Sequence, residues 1–587
     1  MKAEALSLLR FLKRSPQLEI PIYQRTYSWS IGHCEQLWND ILRIGSSAKV
    51  SAHFIGSIVY VESDLSSVST PSALLVIDGQ QRVTTVSILL EALARAVGSE
   101  EPEDGFSARK IRNHYLLDQE ESDERRFKLI LTQNDKTTLL ALLGQQPIPD
   151  DPSVRVMENF QHFTHRIGEL NGQHQTLCRG IAKLMVVEVA LQREQDNPQL
   201  IFESMNSTGL ALSQADLIRN FVLMGQEKSE QTRLYKTYWR PMEERFGQEA
   251  YEAAFDSFMR HYLTLKTRRI PNIGFVYREF KAYLAGQDLS VEAVLADLHA
   301  HAGYYAAMAL GHEKDAALAA AFGDLLRELT VDVSHPLLLE LYHDYKQACL
   351  SKEDFLAAVR LITTYVFRRA VCGVPTNTLN TTFASFGQTL DKTRYLDSIK
   401  ARFISRSGRT RFPDDADFSH ALKNNPLYRS RVLKFLLRHL ENEGRKELVS
   451  VADYTIEHIL PQNKDLSDAW QNDLGDKWQD VQANWLHTLG NLTLTGYNSE
   501  YSDRPFLEKR DMKGGFAESP LRVNDGLRNL ASWNEQSIKN RGDYLAERAA
   551  TLWPLPTLSP AALSALHTPS SEDETAEDDD DDKAIND

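Results

Sequence analysis

The chain has 587 residues, too many for a single hydrophobic core, and this length predicts three or four domains. Apolar residues make up 42% and charged residues 25%, which excludes a fibrous or wholly disordered chain, and no apolar run approaches the roughly 20 residues a membrane helix needs. The net charge is −15, but residues 572–587 hold ten acids and one lysine and so carry −9 of it, leaving −6 on the rest and room for a local basic groove. The four cysteines, Cys34, Cys178, Cys349 and Cys372, show no CxxC spacing. They argue against a disulfide framework or a cysteine zinc site and read as buried small side chains.

Residues 1–14 read as an amphipathic helix without the apolar region or cleavage site of a signal peptide, so the protein is expected in the cytoplasm. Residues 18–25 read as extended, because Pro21 disfavours helix at its predecessor. A helix follows at 31–44, and the β-branched apolar runs 54–61 and 73–77 predict buried strands. After the turn at 78–82, Val86, Leu89, Leu90 and Leu93 have helical spacing. Runs 127–131 and 184–191 predict further strands, and Asn197-Pro198 a helix start. Ser213-Gln-Ala-Asp216 has the spacing of a capping box and opens a helix with the stripe Leu217, Ile218, Phe221 and Val222. From 226 to 400 helix follows helix. Beyond 401, residues 454–459 and 492–495 read as strands and Pro505 as a helix start. Residues 556–587 are Pro/Ser/Thr-rich, then acidic, and are expected to be disordered. The domains so drawn are 1–225, 226–400, 401–555 and the tail.

Two constellations carry chemistry. In Asp78-Gly79-Gln80-Gln81-Arg82 a buried strand runs through a turn into a helix. The free N–H groups of that helix start can hold a phosphate, Gly79 permits close backbone approach, and Arg82 can fork onto phosphate oxygens. Asp78 can serve a nucleotide-borne Mg²⁺. The competing reading is an ordinary capped helix with a surface arginine. Tyr23, Tyr27 and Trp29 read either as base-stacking rings or, more simply, as core. The second constellation is Tyr454-Thr-Ile-Glu-His-Ile-Leu-Pro-Gln-Asn463, followed by Leu486-His-Thr-Leu-Gly-Asn-Leu-Thr-Leu-Thr495, Asn498, Lys509 and Arg510. Phosphodiester hydrolysis needs a base for water and a cation for the phosphorane, and His458 suits the first role because imidazole titrates near neutrality. His487, without a second ligand beside it, reads as structural.

These strings resemble the GmrSD family of Type IV restriction enzymes. The N-terminal resemblance rests on Pro21-Ile-Tyr-Gln-Arg-Thr-Tyr-Ser-Trp29, Asp78-Gly-Gln-Gln-Arg82 and Phe202-Glu-Ser-Met-Asn-Ser-Thr-Gly-Leu210, and the C-terminal one on Glu457-His-Ile-Leu-Pro-Gln462 and Gly490-Asn-Leu-Thr-Leu494. The resemblance implies an α+β, multidomain chain. Its parts would be a ParB/sulfiredoxin-like nucleotide-binding domain, a helical middle region and a C-terminal His-Me finger (HNH) nuclease domain. It implies a nucleoside triphosphate (ATP, GTP or another) held by Gln24, Arg25, Asp78, Gly79, Gln80, Gln81 and Arg82. It implies His458 as general base, Asn491 bracing the loop, Lys509 on the scissile phosphate, and Asn498 with Glu457 holding Mg²⁺ or Mn²⁺. Glu203, Asn206 and Asp216 either reach the nucleotide or knit a turn between helices.

The substrate implied is double-stranded phage DNA with modified cytosines, 5-hydroxymethylcytosine among them. Nucleotide binding would switch an assembly such as a homodimer. Arg402, Arg406, Arg409 and Arg411 form the basic stretch best suited to DNA, ahead of 266–269 and Arg368-Arg369, although a charge run is usually a solvated face. The acidic tail could occupy that groove in the absence of DNA. Two rival readings are a nucleotide-dependent DNA-binding regulator with an inert nuclease domain, and an RNA nuclease or toxin.

Overall fold

The β-branched runs of the N-terminal region gather into one mixed sheet. The computed structural model describes residues 2–62, 73–191, 201 and 213–566. Its strands are β1 (Lys2–Ser7), β2 (Leu18–Glu19), β3 (His53–Glu62), β4 (Leu74–Asp78), β5 (Leu129–Ile130) and β6 (Leu184–Leu191), in the order β1-β6-β3-β4-β2-β5. β6 and β3 are parallel, as are β4, β2 and β5, while β1 with β6 and β3 with β4 are antiparallel. Central β3 is apolar on both faces, with Ile58 and Val59 fully buried, as expected of a strand covered on both sides. Among the helices of this region are α1 (Leu8–Arg14), α2 (Ile31–Ser46), α3 (Gln80–Val97), α4 (Gln133–Leu143), α5 (Val154–Gly168), α6 (Gln175–Ala182) and α7 (Gln214–Met224). α3 is buried almost all round, which is why its apolar residues exceed a single stripe.

The chain divides into two units. The first comprises Met1–Glu243 with Leu284–Leu295 and contains the sheet; the second comprises Glu244–Tyr283 with Ala296–Asp587. The second is mostly helical. Among its helices are α8 (Lys352–Val371), α9 (Asp415–Asn424) and α10 (Val432–Asn442). A two-stranded antiparallel ladder, β7 (Thr455–His458) and β8 (Leu492–Thr495), is followed by α11 (Phe506–Asp511) and α12 (Glu535–Leu552). Trp470, Phe506, Phe516 and Trp533 form the core around that ladder. No helix among the described residues is long and apolar enough to cross a membrane.

The strands expected at 54–61, 73–77 and 184–191 are β3, β4 and β6. The expected helix at 1–14 needs correction: residues 2–7 form an edge strand, registered from Lys2 opposite Ala190 to Ser7 opposite Met185. A backbone ladder to β6 outweighs a weak local helical preference there. Cys349 is exposed rather than buried, whereas Cys34 and Cys178 are buried. Arg368 and Arg369 are core residues, not DNA contacts. Arg368 lies 4.5 Å over Phe418 and donates to Trp553 O, Pro413 O and Asp415 Oδ1; Arg369 donates to Arg409 O and Pro375 O. In the 266–269 stretch, Lys266 pairs with Asp297 and Arg268 with Glu340. The helix start at Asn197-Pro198, the positions Glu203 and Asn206, and the acidic residues 572–587 lie outside the described residues.

Candidate active site

In β7 the register sets Glu457 opposite Thr493 and His458 opposite Leu492. Adjacent strand residues face opposite ways, and these two side chains accordingly find different partners. The Glu457 carboxylate takes a 2.6 Å hydrogen bond from Lys509 Nζ on α11. The same ammonium donates to His458 O at 3.0 Å and Ile459 O at 3.2 Å, so its three protons have three acceptors. Lys509 is fully buried. Burial pushes the Glu457 carboxyl up and the Lys509 ammonium down, and each opposes the other's shift by mutual attraction. Lys509 therefore anchors the end of β7 and is turned away from any phosphate at the surface, while Glu457 is spent on Lys509.

The His458 ring takes the other side. Its Nε2 lies 3.0 Å from Nδ1 of His487, and the Tyr428 ring meets it edge-on at 4.2 Å. Tyr428 also stacks on His487, 11° from parallel at 5.4 Å. His458 is buried, and desolvation, with His487 and Lys509 nearby, pushes its imidazole down to about 3. His487 is half-buried and shifted down by burial and by Arg429. Its contact with His458 makes it a candidate functional residue rather than the structural one it reads as in sequence. A signal existed, since it stands in the same string as Asn491. Tyr428 had none.

Asn491 is buried and uses all of its amide. Oδ1 accepts from Leu460 N at 2.7 Å and Trp533 Nε1 at 3.0 Å; Nδ2 donates to Leu460 O at 3.1 Å and Leu486 O at 2.9 Å. Gly490 precedes it because any Cβ there would lie 2.2 Å from Ile538 O of α12. Arg541 on α12 donates to the carbonyls of Leu489, Gly490 and Leu492, fixing the turn from behind. Gln482 holds the chain after His458 through Pro461 O and Asn463 O. Exposed Asn498 donates to Ile456 O at 3.0 Å, which orients its amide on the rim of β7.

At the first constellation, Gly79 has φ +93°, and a Cβ there would lie 2.7 Å from Ser57 O. Arg82 Nη1 donates to Ser57 O at 2.8 Å, 3.8 Å from the Asp78 carboxylate, which also accepts from Ser57 Oγ. Asp78 and Arg82 side chains remain 28% and 26% exposed at the start of α3. Gln24 donates to Ile77 O, and Gln81 accepts from Ser28 N and donates to Thr26 O, so both glutamines hold the 23–29 loop against the sheet. Gln80 Oε1 is buried without a partner among the described residues, and it lines a small cavity, about 10 Å³, with Arg25, Gln81 and Asp135. Tyr27 is core: its hydroxyl meets Thr85 Oγ1 and Asn159 Nδ2, and burial pushes it up. Tyr23 is buried too, and Trp29 stacks on His33. Ser213 Oγ caps Asp216 N, and the Asp216 carboxylate takes Arg219, which also donates to Tyr23 O. Asp216 thus knits α7 to the loop.

Of the basic stretch, Arg402 and Arg406 stack on Phe386, Arg402 donates to Ser385 O, and Arg411 pairs with Asp417. Arg409 is exposed.

No curated protein matches the chain. Residues 7–223 match the GmrSD restriction endonuclease N-terminal domain, and residues 412–548 match the GmrSD restriction endonuclease C-terminal domain. The first match spans the sheet with the Asp78–Arg82 turn and the second spans the His458 centre, so the chain belongs to the GmrSD restriction endonuclease family and is a restriction nuclease that acts on DNA.

Proposed function

We propose that this nuclease hydrolyses DNA at His458, that a divalent metal serves the reaction, and that a nucleoside triphosphate bound at the start of α3 regulates it. The observation that carries the reading is a histidine at a strand end whose ring and backbone are separately fixed, by His487 with Tyr428 and by Asn491 with Lys509. A base with one free nitrogen held in place is what water activation requires. The order β7, β8, α11 around it supports a His-Me finger.

The metal fits in one way. Among the described residues no three His, Cys, Asp or Glu side chains converge, and Glu457 is engaged by Lys509. Asn498 Oδ1, oriented by the bonds of its Nδ2, is the oxygen available at the rim, so Mg²⁺ or Mn²⁺ would be held by Asn498, water and the phosphate oxygens of the DNA. When bound, the ion would supply charge stabilisation for the phosphorane and the leaving oxygen.

The triphosphate fits at its phosphate end. Backbone N–H groups of Gln80, Gln81 and Arg82 precede the first intrahelical bond of α3, from Val83 N to Gly79 O, and Asp78 and Arg82 are partly exposed beside them. Gln24, Gln81 and Tyr27 are bonded within the 23–29 loop and its neighbours, so they act there rather than on the nucleotide. Nucleotide would regulate by binding one state of the assembly, such as a dimer, better than another. Substrates bearing modified cytosine remain the favoured class, by family resemblance.

The test is cleavage of plasmid and phage DNA, unmodified, methylated, hydroxymethylated or glucosylated. It is run with Mg²⁺, Mn²⁺ or EDTA, with and without each triphosphate, beside His458→Ala and Arg82→Ala. Metal-dependent cleavage of modified DNA lost in His458→Ala is expected, with the response to nucleotide lost in Arg82→Ala. Nucleotide hydrolysis without cleavage of any substrate would overturn the proposed role of His458.

A further inference from the structure

Resting on the reading of His458 as the base, we infer that His487 is its positioning residue: it fixes the tautomer of His458 so that Nδ1 carries the lone pair that takes the proton from water. The argument is an accounting of nitrogens. A neutral imidazole has one N–H and one lone pair. His458 Nε2 is 3.0 Å from His487 Nδ1, so one of those two nitrogens donates and the other accepts. Were His487 Nδ1 the donor, His458 Nε2 would supply the lone pair and Nδ1 would carry the hydrogen, leaving no base. The productive arrangement has His458 Nε2–H donating to His487 Nδ1, with Nδ1 of His458 free.

The surroundings hold the acceptor in place. Tyr428 lies flat on His487 and edge-on to His458, so one ring limits rotation of both. The backbone of His487 is fixed by Leu427 N, which donates to its carbonyl at 2.8 Å. Across the site, Asn491 ties Leu460, two residues after His458, to Leu486, the neighbour of His487. The separation of the two rings is therefore set by backbone on both sides. A second histidine orienting the first is the logic by which a third group orients the base in hydrolytic triads.

The accounting makes a sharp demand on position 487: an acceptor one bond beyond Cγ. Asparagine Oδ1 sits there, whereas glutamine places its amide further out and leucine offers nothing. The test uses the full chain on supercoiled plasmid carrying 5-hydroxymethylcytosine, with Mg²⁺ and ATP, comparing His487→Asn, His487→Gln, His487→Leu and His458→Ala. His487→Leu and His487→Gln are expected to cut about 10- to 100-fold more slowly at saturating DNA, the range for losing a residue that orients a functional ligand or base. KM and melting temperature should stay unchanged, and His487→Asn should recover most of the rate. Independently of turnover, selective ¹⁵N-histidine spectra should report Nε2–H on His458 in the wild type and in His487→Asn, and a tautomer mixture in His487→Leu. A wild-type rate in His487→Leu with His458→Ala inactive overturns the inference while leaving His458 as the base. An Asn variant as slow as Leu, or the same mixture in the wild-type spectrum, overturns it equally. Normal cutting by His458→Ala would instead remove the reading on which it rests.

Discussion

Replacing Lys509 separates an anchoring role from a phosphate-binding one. Lys509→Ala leaves the Glu457 carboxylate, which is 4% exposed, without its cation, and strands His458 O and Ile459 O. Removing one partner of a buried pair costs about 3–5 kcal/mol, and a stranded buried carbonyl about 1–3 kcal/mol, though these costs overlap because the same space relaxes once. A net loss of about 4 kcal/mol follows, equal to about 6 °C in melting temperature for a unit of this size. The double variant Glu457→Leu/Lys509→Met removes both charges and fills the space, so it should lose only about 1–3 kcal/mol, the share due to the two carbonyls. Urea titrations of wild type, Glu457→Leu, Lys509→Met and the double variant give the coupling energy directly. A loss below about 1 kcal/mol in Lys509→Ala, together with weaker DNA binding, would refute the anchoring argument and return Lys509 to the scissile phosphate.

Three further outcomes are expected. Gly79→Ala should destabilise the N-terminal unit by about 2–3 kcal/mol, because an L-residue is strained at φ +93° and its Cβ would crowd Ser57 O; an unchanged calorimetric melt would show that the turn can relax. His458 is held neutral in the folded chain, from an ordinary value of 6.5 down to about 3, so its contribution is complete above pH 6.5 and is lost as pH falls toward 3. At pH 5 about 2 kcal/mol of it is gone, at 1.4 kcal/mol per unit, and His458→Gln should lose correspondingly less between pH 7 and pH 5 in urea titrations; equal losses would contradict the shift. Arg409→Ala should lower the salt slope of DNA binding by about 1 without altering the melt, whereas Arg402→Ala should lower the melt, since Arg402 stacks on Phe386; the reverse pattern would relocate the DNA contact.

The parts legible in the sequence were those with local causes. The β-branched runs at β3, β4 and β6 announced buried strands, and the Gly79 turn announced a strand-to-helix junction. Lys2–Ser7 was not legible as a strand because its pairing lies with β6, more than 170 residues away in sequence, and its own side chains alternate too weakly. Charged residues misled for a related reason. Arg368, Arg369 and Lys509 are indistinguishable in sequence from surface cations until their acceptors, supplied by distant carbonyls, are in place. At the site, Glu457 was expected beside His458 as a metal ligand, but strand alternation turns it to Lys509, and no local rule pointed to Tyr428, which reaches the histidines from a loop 30 residues upstream of His458.

The two signature strings around His458 are better understood as one structural device than as separate sets of reactive groups. The Glu457-His-Ile-Leu string is held by Lys509 at the Glu457 carboxylate and at two backbone carbonyls, and by Asn491 at Leu460. The Gly490-Asn string is held by Arg541 at three carbonyls and by the close approach of α12 that Gly490 allows. Asn491 joins the two, since its side chain reaches Leu460 and its carbonyl accepts from Ile459 N at 3.0 Å. Among the described residues, Nδ1 of His458 has no hydrogen-bond partner, whereas Asn491, Lys509 and Arg541 are bonded to the scaffold. With His458 as the proposed base, that division explains why a buried lysine, arginine and asparagine surround it: low dielectric makes each unsatisfied group costly, so these groups are spent on backbone acceptors and on Glu457, and the same bonds hold the strand that carries His458.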